Sequence, residues 1–177
     1  KETKSLSSGE EGMIITNQTP FYGESGGQQG DAGRFSTEKA EIVISDTTKK
    51  LGDLHIQKGM VKKGTLKVGD AGVLSIDRGR RSSLRAHHSA THLLHEALRR
   101  RLGDHVTQKG SLVSPDRLRF DISHPRAISV EELHDVECEV NRRIRLNTPV
   151  ETCLMTPDEA IEQGAMALFG EKFGVEV

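Results

Sequence analysis

The sequence has no tryptophan, a single tyrosine and only 3% aromatic residues. Because nucleic-acid bases stack on aromatic side chains, stacking is not expected to dominate any contact with RNA. The formal net charge of −1 argues against a strongly basic protein that binds nucleic acid without regard to sequence. Any nucleic-acid contact must therefore depend on local clusters of charge.

Long apolar runs are also absent. No stretch approaches the roughly 18 apolar residues of a membrane helix, and the first residues lead into no apolar signal region. We therefore expect a cytoplasmic protein without membrane contact. The two cysteines, Cys138 and Cys153, form no close-spaced metal motif and are too few to cross-link a chain of this size. They are predicted to be reduced, buried thiols.

Local positive charge is present, since ten arginines fall in three runs: Arg78, Arg80, Arg81 and Arg85; Arg99, Arg100 and Arg101; Arg142, Arg143 and Arg145. Any one run is compatible with a solvated face. The first two flank a histidine-rich motif, which makes a rim that faces phosphates a reasonable expectation.

The first half of the chain predicts a small β-barrel. Short β-like runs alternate with Gly-containing turns; the candidate strands are residues 13–16, 40–44, 54–56 and 71–76. The segment from Thr19 to Gly33 is too rich in glycine to pack much side-chain mass, so its backbone is expected to approach another group closely.

The second half predicts alternating helices and strands. A helix is expected over 88–101 with Gly103 as its stop, then a half-buried strand at 118–122. Ser129 and Glu132 predict a capping box for a second helix with an apolar stripe at Leu133, Val136, Val140 and Ile144. A strand over 150–155 and a short helix that opens at Thr156 and ends by Gly164 would complete an α/β or α+β layer domain.

The segment from His88 to His92 carries the chemistry. Residues four apart share one face of a helix, so the two imidazoles could bind one metal ion. His95 could share that face, whereas His87 should point away. A metallopeptidase also needs a Glu directly after the first His, and Ser89 stands there, which disfavours that class. The alternative is a chance pair of structural histidines.

Residues 108–111, Gln-Lys-Gly-Ser, are predicted to lie in the connection between that helix and the next strand. A solvated turn is the plain interpretation. The functional one is that the Gln108 amide and the Ser111 hydroxyl reach the histidine face, where they would hydrogen-bond an ester carbonyl or a small hydroxylated side chain.

Three motifs together resemble the editing region of alanyl-tRNA synthetases. They occur in order across most of the chain: Thr-Pro-Phe-Tyr at 19–22 with Glu-Ser-Gly-Gly-Gln at 24–28 and Gly-Asp at 30–31; Arg-Ala at 85–86 with His-Ser-Ala-Thr-His-Leu-Leu-His at 88–95; Gln-Lys-Gly-Ser-Leu-Val at 108–113. The freestanding alanyl-tRNA editing proteins are similar, as is the threonyl-tRNA synthetase editing domain over the histidine part.

The resemblance implies an α+β fold with a small Gly-rich β-barrel at 1–81 and a two-layer α/β editing domain at 82–177. It implies hydrolysis of the ester that joins serine or glycine to alanine tRNA, within a ligase whose other domains bind ATP and tRNA. The acceptor end of that tRNA and those other domains are the expected partners.

The site residues follow from the same resemblance. His88 and His92 are the implied zinc ligands and Gln108 the implied catalytic residue. Thr91 and Ser111 are expected to bind the substrate. The loop residues Ser25, Gly26, Gly27 and Gln28 are expected to form a wall of the pocket, although they would suit equally well a close packing of the barrel against the editing domain.

One departure from the family limits this prediction. The family completes its metal site with Cys-x-x-x-His after a Phe-Gly-Glu-Lys segment; here that segment is 169–172 and the sequence stops at Val177. We therefore expect a chain truncated before its last ligands, with doubtful zinc occupancy. A non-catalytic tRNA-binding or interdomain fragment is the alternative function.

Overall fold

The structure is a computed structural model that describes residues 2–151 and 153–163. By its internal contacts the chain divides into two compact units, with the division between Ile144 and Arg145. The first unit contains most of the elements: β1 Ser5–Ser7, β2 Glu11–Ile14, β3 Gly33–Thr37, β4 Ala40–Lys50, β5 Leu54–Lys67, β6 Gly72–Ile76, α1 Arg78–Leu102, β7 Thr107–Val113 and β8 Leu118–Ser123. Helix α2, Val130–Leu146, runs across the division, and α3, Pro157–Glu162, lies in the second unit.

Strands β1–β6 form one antiparallel sheet in the order β1-β5-β4-β3-β6, with β2 also paired to β5. The long β5 pairs with β2 through residues 57–60 and with β1 through residues 65–67. Within the described residues no pairing joins β6 to β1, so closure into a barrel stays a prediction. The fold is α+β, built mainly from antiparallel sheets.

Alternation of side chains creates the core of this sheet. In β4, Ala40, Ile42 and Ile44 are buried while Glu41 and Val43 are exposed, because successive side chains of a strand point to opposite faces. The buried set joins residues of the other strands and of the Gly-rich segment: Ile14, Phe21, Phe35, Val61 and Leu66.

Helix α1 begins ten residues earlier than the sequence predicted. Its N-cap is Asp77, whose Oδ1 accepts the Arg80 N–H at 2.9 Å, and its stop at Gly103 is confirmed. The first turns contain Gly79 and little apolar periodicity, which explains why the pattern missed them. The boundary predicted at residues 81 and 82 falls inside this helix and stays a prediction.

A second core joins α1 and α2 to the β7-β8 hairpin. It contains buried residues of the helices and of the α1-β7 connection, with partly buried residues of β8 packed against them: Ala97, Leu98, Val106, Val136, Phe120 and Ile122. Of the predicted α2 stripe only Val136 and Val140 pack there, and Leu133 and Ile144 are half exposed. The predicted capping box is confirmed, since Ser129 and Glu132 exchange backbone and side-chain hydrogen bonds.

Three further predictions, which concern two segments and the cysteines, are wrong. Residues 108–111 lie inside strand β7 and are not a loop, because β8 supplies backbone partners to this polar segment. The described residues of 150–155 contain no strand. The two cysteines are exposed free thiols, not buried ones, since Cys138 lies on the outer side of α2 and Cys153 in an irregular stretch.

Candidate functional site

One exposed face of α1 carries His88 and His92. Their rings stack with centroids 5.1 Å apart and planes 16° from parallel, as the four-residue spacing predicts. The other two histidines of the motif leave this face. His87 Nδ1 donates to the Ser114 carbonyl oxygen at 2.7 Å, and His95 is buried with its ring 5.1 Å from that of Phe120. The candidate metal ligands are therefore this pair alone among the four.

The His88 ring is held by a side chain from the Gly-rich segment. Its Nδ1 lies 2.6 Å from the Gln28 amide oxygen, which can only accept a hydrogen bond. Nδ1 therefore carries the proton, and Nε2 keeps a free lone pair. Partial burial lowers the pKa of His88, and the neighbouring His92 lowers it further. Both effects favour the neutral imidazole that a metal ion requires.

Backbone contacts fix the Gly-rich segment against β7. Ser25 and Gln28 exchange backbone hydrogen bonds of 3.2 and 2.9 Å and form a tight turn. Val113 N–H donates to the Gly27 carbonyl oxygen at 2.8 Å. A Cβ on Gly27, whose φ is +82°, would lie 2.5 Å from the Ser111 carbonyl oxygen. The segment thus makes the close backbone approach that its glycines predicted.

An ion pair anchors the same segment to α1. Arg81 forms a bidentate pair with the buried carboxylate of Asp31, which also accepts the Tyr22 backbone N–H at 2.7 Å. Arg80 donates to the Gln29 side chain at 3.1 Å. These two arginines do not belong to a free, phosphate-facing rim, as the sequence suggested, because their guanidinium groups bind within the fold.

The later arginine runs are also engaged with carboxylates of the chain. Of the six arginines in these two runs, four pair on or between the helices: Arg100 with Glu96, Arg101 with Asp135, and both Arg142 and Arg143 with Glu139. A fifth, Arg99, pairs with Asp104 next to the helix end. Charge patterning alone could not reveal this, because the acidic partners lie outside the runs.

The remaining predicted residues lie on α1 and β7. Thr91 is buried and its hydroxyl donates to the His87 carbonyl oxygen at 2.8 Å, so only its acceptor lone pairs remain. Gln108 is exposed beside a bulge in β7, and Ser111 is partly buried against Gly27. Among the described contacts no hydrogen bond joins Gln108 or Ser111 to the histidine pair, so their roles stay predictions.

The donor chemistry of this face fits half of a zinc site. Zinc accepts neutral imidazole nitrogen, and His88 and His92 offer two such donors on one face. Among residues 2–151 and 153–163, no group of three or more His, Cys, Asp or Glu side chains could hold a metal. The predicted Phe-Gly-Glu-Lys segment lies outside the described residues.

Comparisons with known proteins agree with the motifs. Residues 1–80 match the family model of class II tRNA synthetases (A). Alanine–tRNA ligases of Sphingopyxis alaskensis and Rhizorhabdus wittichii are each 61% identical to this chain over 170 residues, 96% of its length, and that of Gluconobacter oxydans is 62% identical over 164 residues, 93% of its length.

The chain spans 19% of the length of each of these three relatives. In the described part of the chain no helix combines the length and the apolar character needed to span a membrane. The high identity over nearly the whole chain supports the assignment. The chain belongs to the alanine–tRNA ligase family and corresponds to a segment of those enzymes.

Proposed function

We propose that this segment contributes the proofreading site of an alanine–tRNA ligase, which hydrolyses the ester of seryl- or glycyl-tRNA(Ala). The observation that carries the proposal is the outward-facing His88 and His92 pair, with His88 Nδ1 hydrogen-bonded to Gln28. This arrangement presents ring nitrogens of two histidines of the motif on one exposed helix face.

Zinc is the metal that this face would hold, through Nε2 of His88 and a ring nitrogen of His92, with further ligands from outside the described residues. When bound, zinc supplies a Lewis acid that polarises or orients an ester carbonyl or a water molecule. The chain's own residues perform the recognition. Gln108 can donate an amide N–H to a carbonyl oxygen, and Ser111 can donate a hydroxyl.

Thr91 suits the recognition of serine. Its hydroxyl proton is directed to the His87 carbonyl oxygen, so its oxygen can accept a hydrogen bond from a serine hydroxyl. Alanine has no such group. A synthetic site that accepts alanine cannot strongly exclude glycine or serine, and discrimination at that first site is limited to about 1–3 kcal/mol. A second, hydrolytic site is the way to recover specificity.

The same proposal assigns partners and context. The acceptor end of tRNA(Ala) that carries Ser or Gly would bind at the histidine face, and the other domains of a cytoplasmic ligase would supply synthesis and most tRNA contacts. We also propose that the β1–β6 sheet is the small barrel of this editing region.

The test uses a full-length alanine–tRNA ligase that carries this segment. His88→Ala and His92→Ala should each lower both the bound zinc and the rate of seryl-tRNA(Ala) deacylation. His105→Ala is the matched control, because His105 is exposed beyond the end of α1 and bonds His124. Unchanged zinc and unchanged deacylation in both variants of the pair would reject the proposal.

The alternative function is a tRNA-binding or interdomain module without catalysis. This alternative is favoured because the described residues bring together only two candidate metal ligands. Binding of alanine tRNA by the isolated chain, together with no difference in seryl-tRNA deacylation between the full-length enzyme and its His88→Ala variant, would select this alternative.

A further inference from the structure

We infer that Gln28 is a positioning residue that holds His88 with Nδ1 protonated and Nε2 directed away for metal binding. The resemblance suggested a substrate contact for Gln28. The inference rests on the proposed metal site, but it concerns a contact within the chain that can be measured without substrate.

The hydrogen bond between Gln28 and His88 determines which ring nitrogen of His88 carries the proton. The Gln28 amide oxygen accepts at 2.6 Å from His88 Nδ1, and this geometry selects one tautomer of the neutral ring. Metal-binding histidines commonly donate their other ring N–H to an oxygen, which fixes the ring orientation and raises the basicity of the ligating nitrogen. Gln28 occupies that place.

Gln28 is itself buried, and backbone hydrogen bonds hold the chain on both sides of it. Its residue is 7% exposed, and the turn with Ser25 fixes its backbone on one side. On the other side Gln29 N–H donates to the Val113 carbonyl oxygen at 3.0 Å. A side chain on a rigid support can impose an orientation on its partner, whereas one on a free loop would adapt to it.

The Gly-rich segment that carries Gln28 connects the first sheet to the histidine helix. Glu24 N–H donates to the Thr47 carbonyl oxygen of β4 at 2.9 Å, and Arg80 of α1 binds Gln29. The Gly-rich segment therefore takes its position from β4, β7 and α1 together. Through Gln28 it transmits that position to His88, which gives the first sheet a role in the chemistry of the second half.

The test begins with the chain itself, without metal, at a pH above the ordinary His pKa of about 6.5. Long-range 1H–15N spectra of the imidazoles report which ring nitrogen carries the proton. We expect the Nδ1–H form for His88 in the wild type and a shift toward the Nε2–H form in Gln28→Met, which keeps side-chain length and loses the oxygen. Gln28→Glu retains an acceptor and should keep the Nδ1–H form.

The second arm measures zinc affinity in the full-length ligase that carries the segment. Gln28→Met should weaken binding by about 10- to 100-fold, while Gln28→Glu should bind zinc at least as well as the wild type. Thermal unfolding of each variant reports whether the fold is retained. If Gln28→Met leaves both the tautomer and the zinc affinity unchanged, or if the wild type shows Nε2–H, the inference is overturned.

A failure of the proposed proofreading function would give different results from a failure of the positioning role of Gln28. One result would support the positioning role and reject proofreading. In it, Gln28→Met loses the Nδ1–H tautomer of His88 and binds zinc more weakly, but the wild-type enzyme does not deacylate seryl-tRNA. Active proofreading with no effect of Gln28→Met on tautomer or zinc would reject the positioning role alone.

Discussion

Asp31 is the most constrained charged residue of the candidate site, since its carboxylate is 1% exposed and bound by Arg81. Arg81→Met would leave that carboxylate without its counterion. Breaking a buried pair from one side costs several kcal/mol, so we expect a loss of about 3 kcal/mol in the free energy of unfolding, measured in urea.

Arg85→Met is the matched control for this variant, because Arg85 is exposed and lies one turn further along α1. It should change the free energy of unfolding by less than about 0.5 kcal/mol. Equal losses in the two variants would mean that the Arg81–Asp31 pair does not anchor the Gly-rich segment.

Alanine substitutions at Gly26 and Gly27 separate the cost of backbone strain from the cost of a steric clash with β7. Gly26 and Gly27 both have positive φ, but a Cβ on Gly26 meets nothing within 4 Å, whereas one on Gly27 meets the Ser111 carbonyl oxygen. Gly26→Ala should cost about 1 kcal/mol of backbone strain. Gly27→Ala should cost about 2 kcal/mol more, since the segment must move away from β7.

Urea unfolding measures that difference, and the His88 imidazole spectrum tells whether the displacement reaches Gln28. If the two alanine variants are equally stable and keep the wild-type spectrum, the segment has more freedom than its backbone contacts indicate.

At the residue scale, the sequence predicted correctly the features of the site that depend on short-range geometry. The four-residue spacing placed His88 and His92 on one face, and His87 was correctly expected to point away. It could not find the Gln28 contact, because 60 residues separate the partners and no local rule pairs them. A long-range contact depends on how the segment folds back across β7.

At the scale of elements, the capping box of α2 gives a direct stability test. The Ser129 hydroxyl accepts the Glu132 backbone N–H at 3.2 Å, and Glu132 in turn accepts the Ser129 N–H at 3.0 Å. Ser129→Ala removes one of these bonds and should lower the free energy of unfolding by about 1 kcal/mol. Ser129→Asp retains an N-cap acceptor and should restore most of that loss in the same urea experiment.

The same capping box predicts that the stability of the fold depends on pH. Hydrogen bonds from Arg126 and from the Ser129 backbone hold the pKa of Glu132 far below its ordinary value of 4.5. Because the folded pKa is depressed, the stabilisation is present above about pH 4.5 and is lost as the pH falls through the folded value. Stability should therefore decline steadily with acidification below pH 4.5.

Glu132→Gln should reduce the steepness of that decline without removing it, because Arg142 and Arg143 also lower the pKa of Glu139 to about 2. Glu131→Gln, at the exposed neighbouring position, should leave the decline unchanged. Chemical unfolding at several pH values makes the comparison, and identical profiles for the two variants would contradict the assignment of the shift to Glu132.

Elements were predictable where periodicity or capping residues were strong. Strand β8, helix α2 and the opening of α3 at Thr156 followed from these signals. The polar strand β7 did not, since its pairing with β8 and its bulge near Gln108 depend on tertiary contacts. The start of α1 was missed because its early turns depend on the Asp77 cap and on arginines that bind the Gly-rich segment.

At the scale of the whole molecule, the α+β class and the family followed from sequence, while the proposed activity needs a test in a longer protein. The chain spans 19% of the length of the relatives compared with it. The resemblance to the editing region implies further zinc ligands after a segment that lies outside the described residues. Zinc stoichiometry should therefore be lower in the isolated chain than in a full-length ligase that carries it, as measured by metal analysis; equal stoichiometry would contradict the half-site interpretation.

The most direct test of the central claim is the selectivity of ester hydrolysis. A full-length ligase that carries this segment should deacylate seryl-tRNA(Ala) much faster than alanyl-tRNA(Ala), with the two rates measured in parallel on the same tRNA preparation. We predict a strong preference for the seryl ester, and we expect His88→Ala to abolish it. Equal rates for the two esters, or hydrolysis of neither, would contradict it.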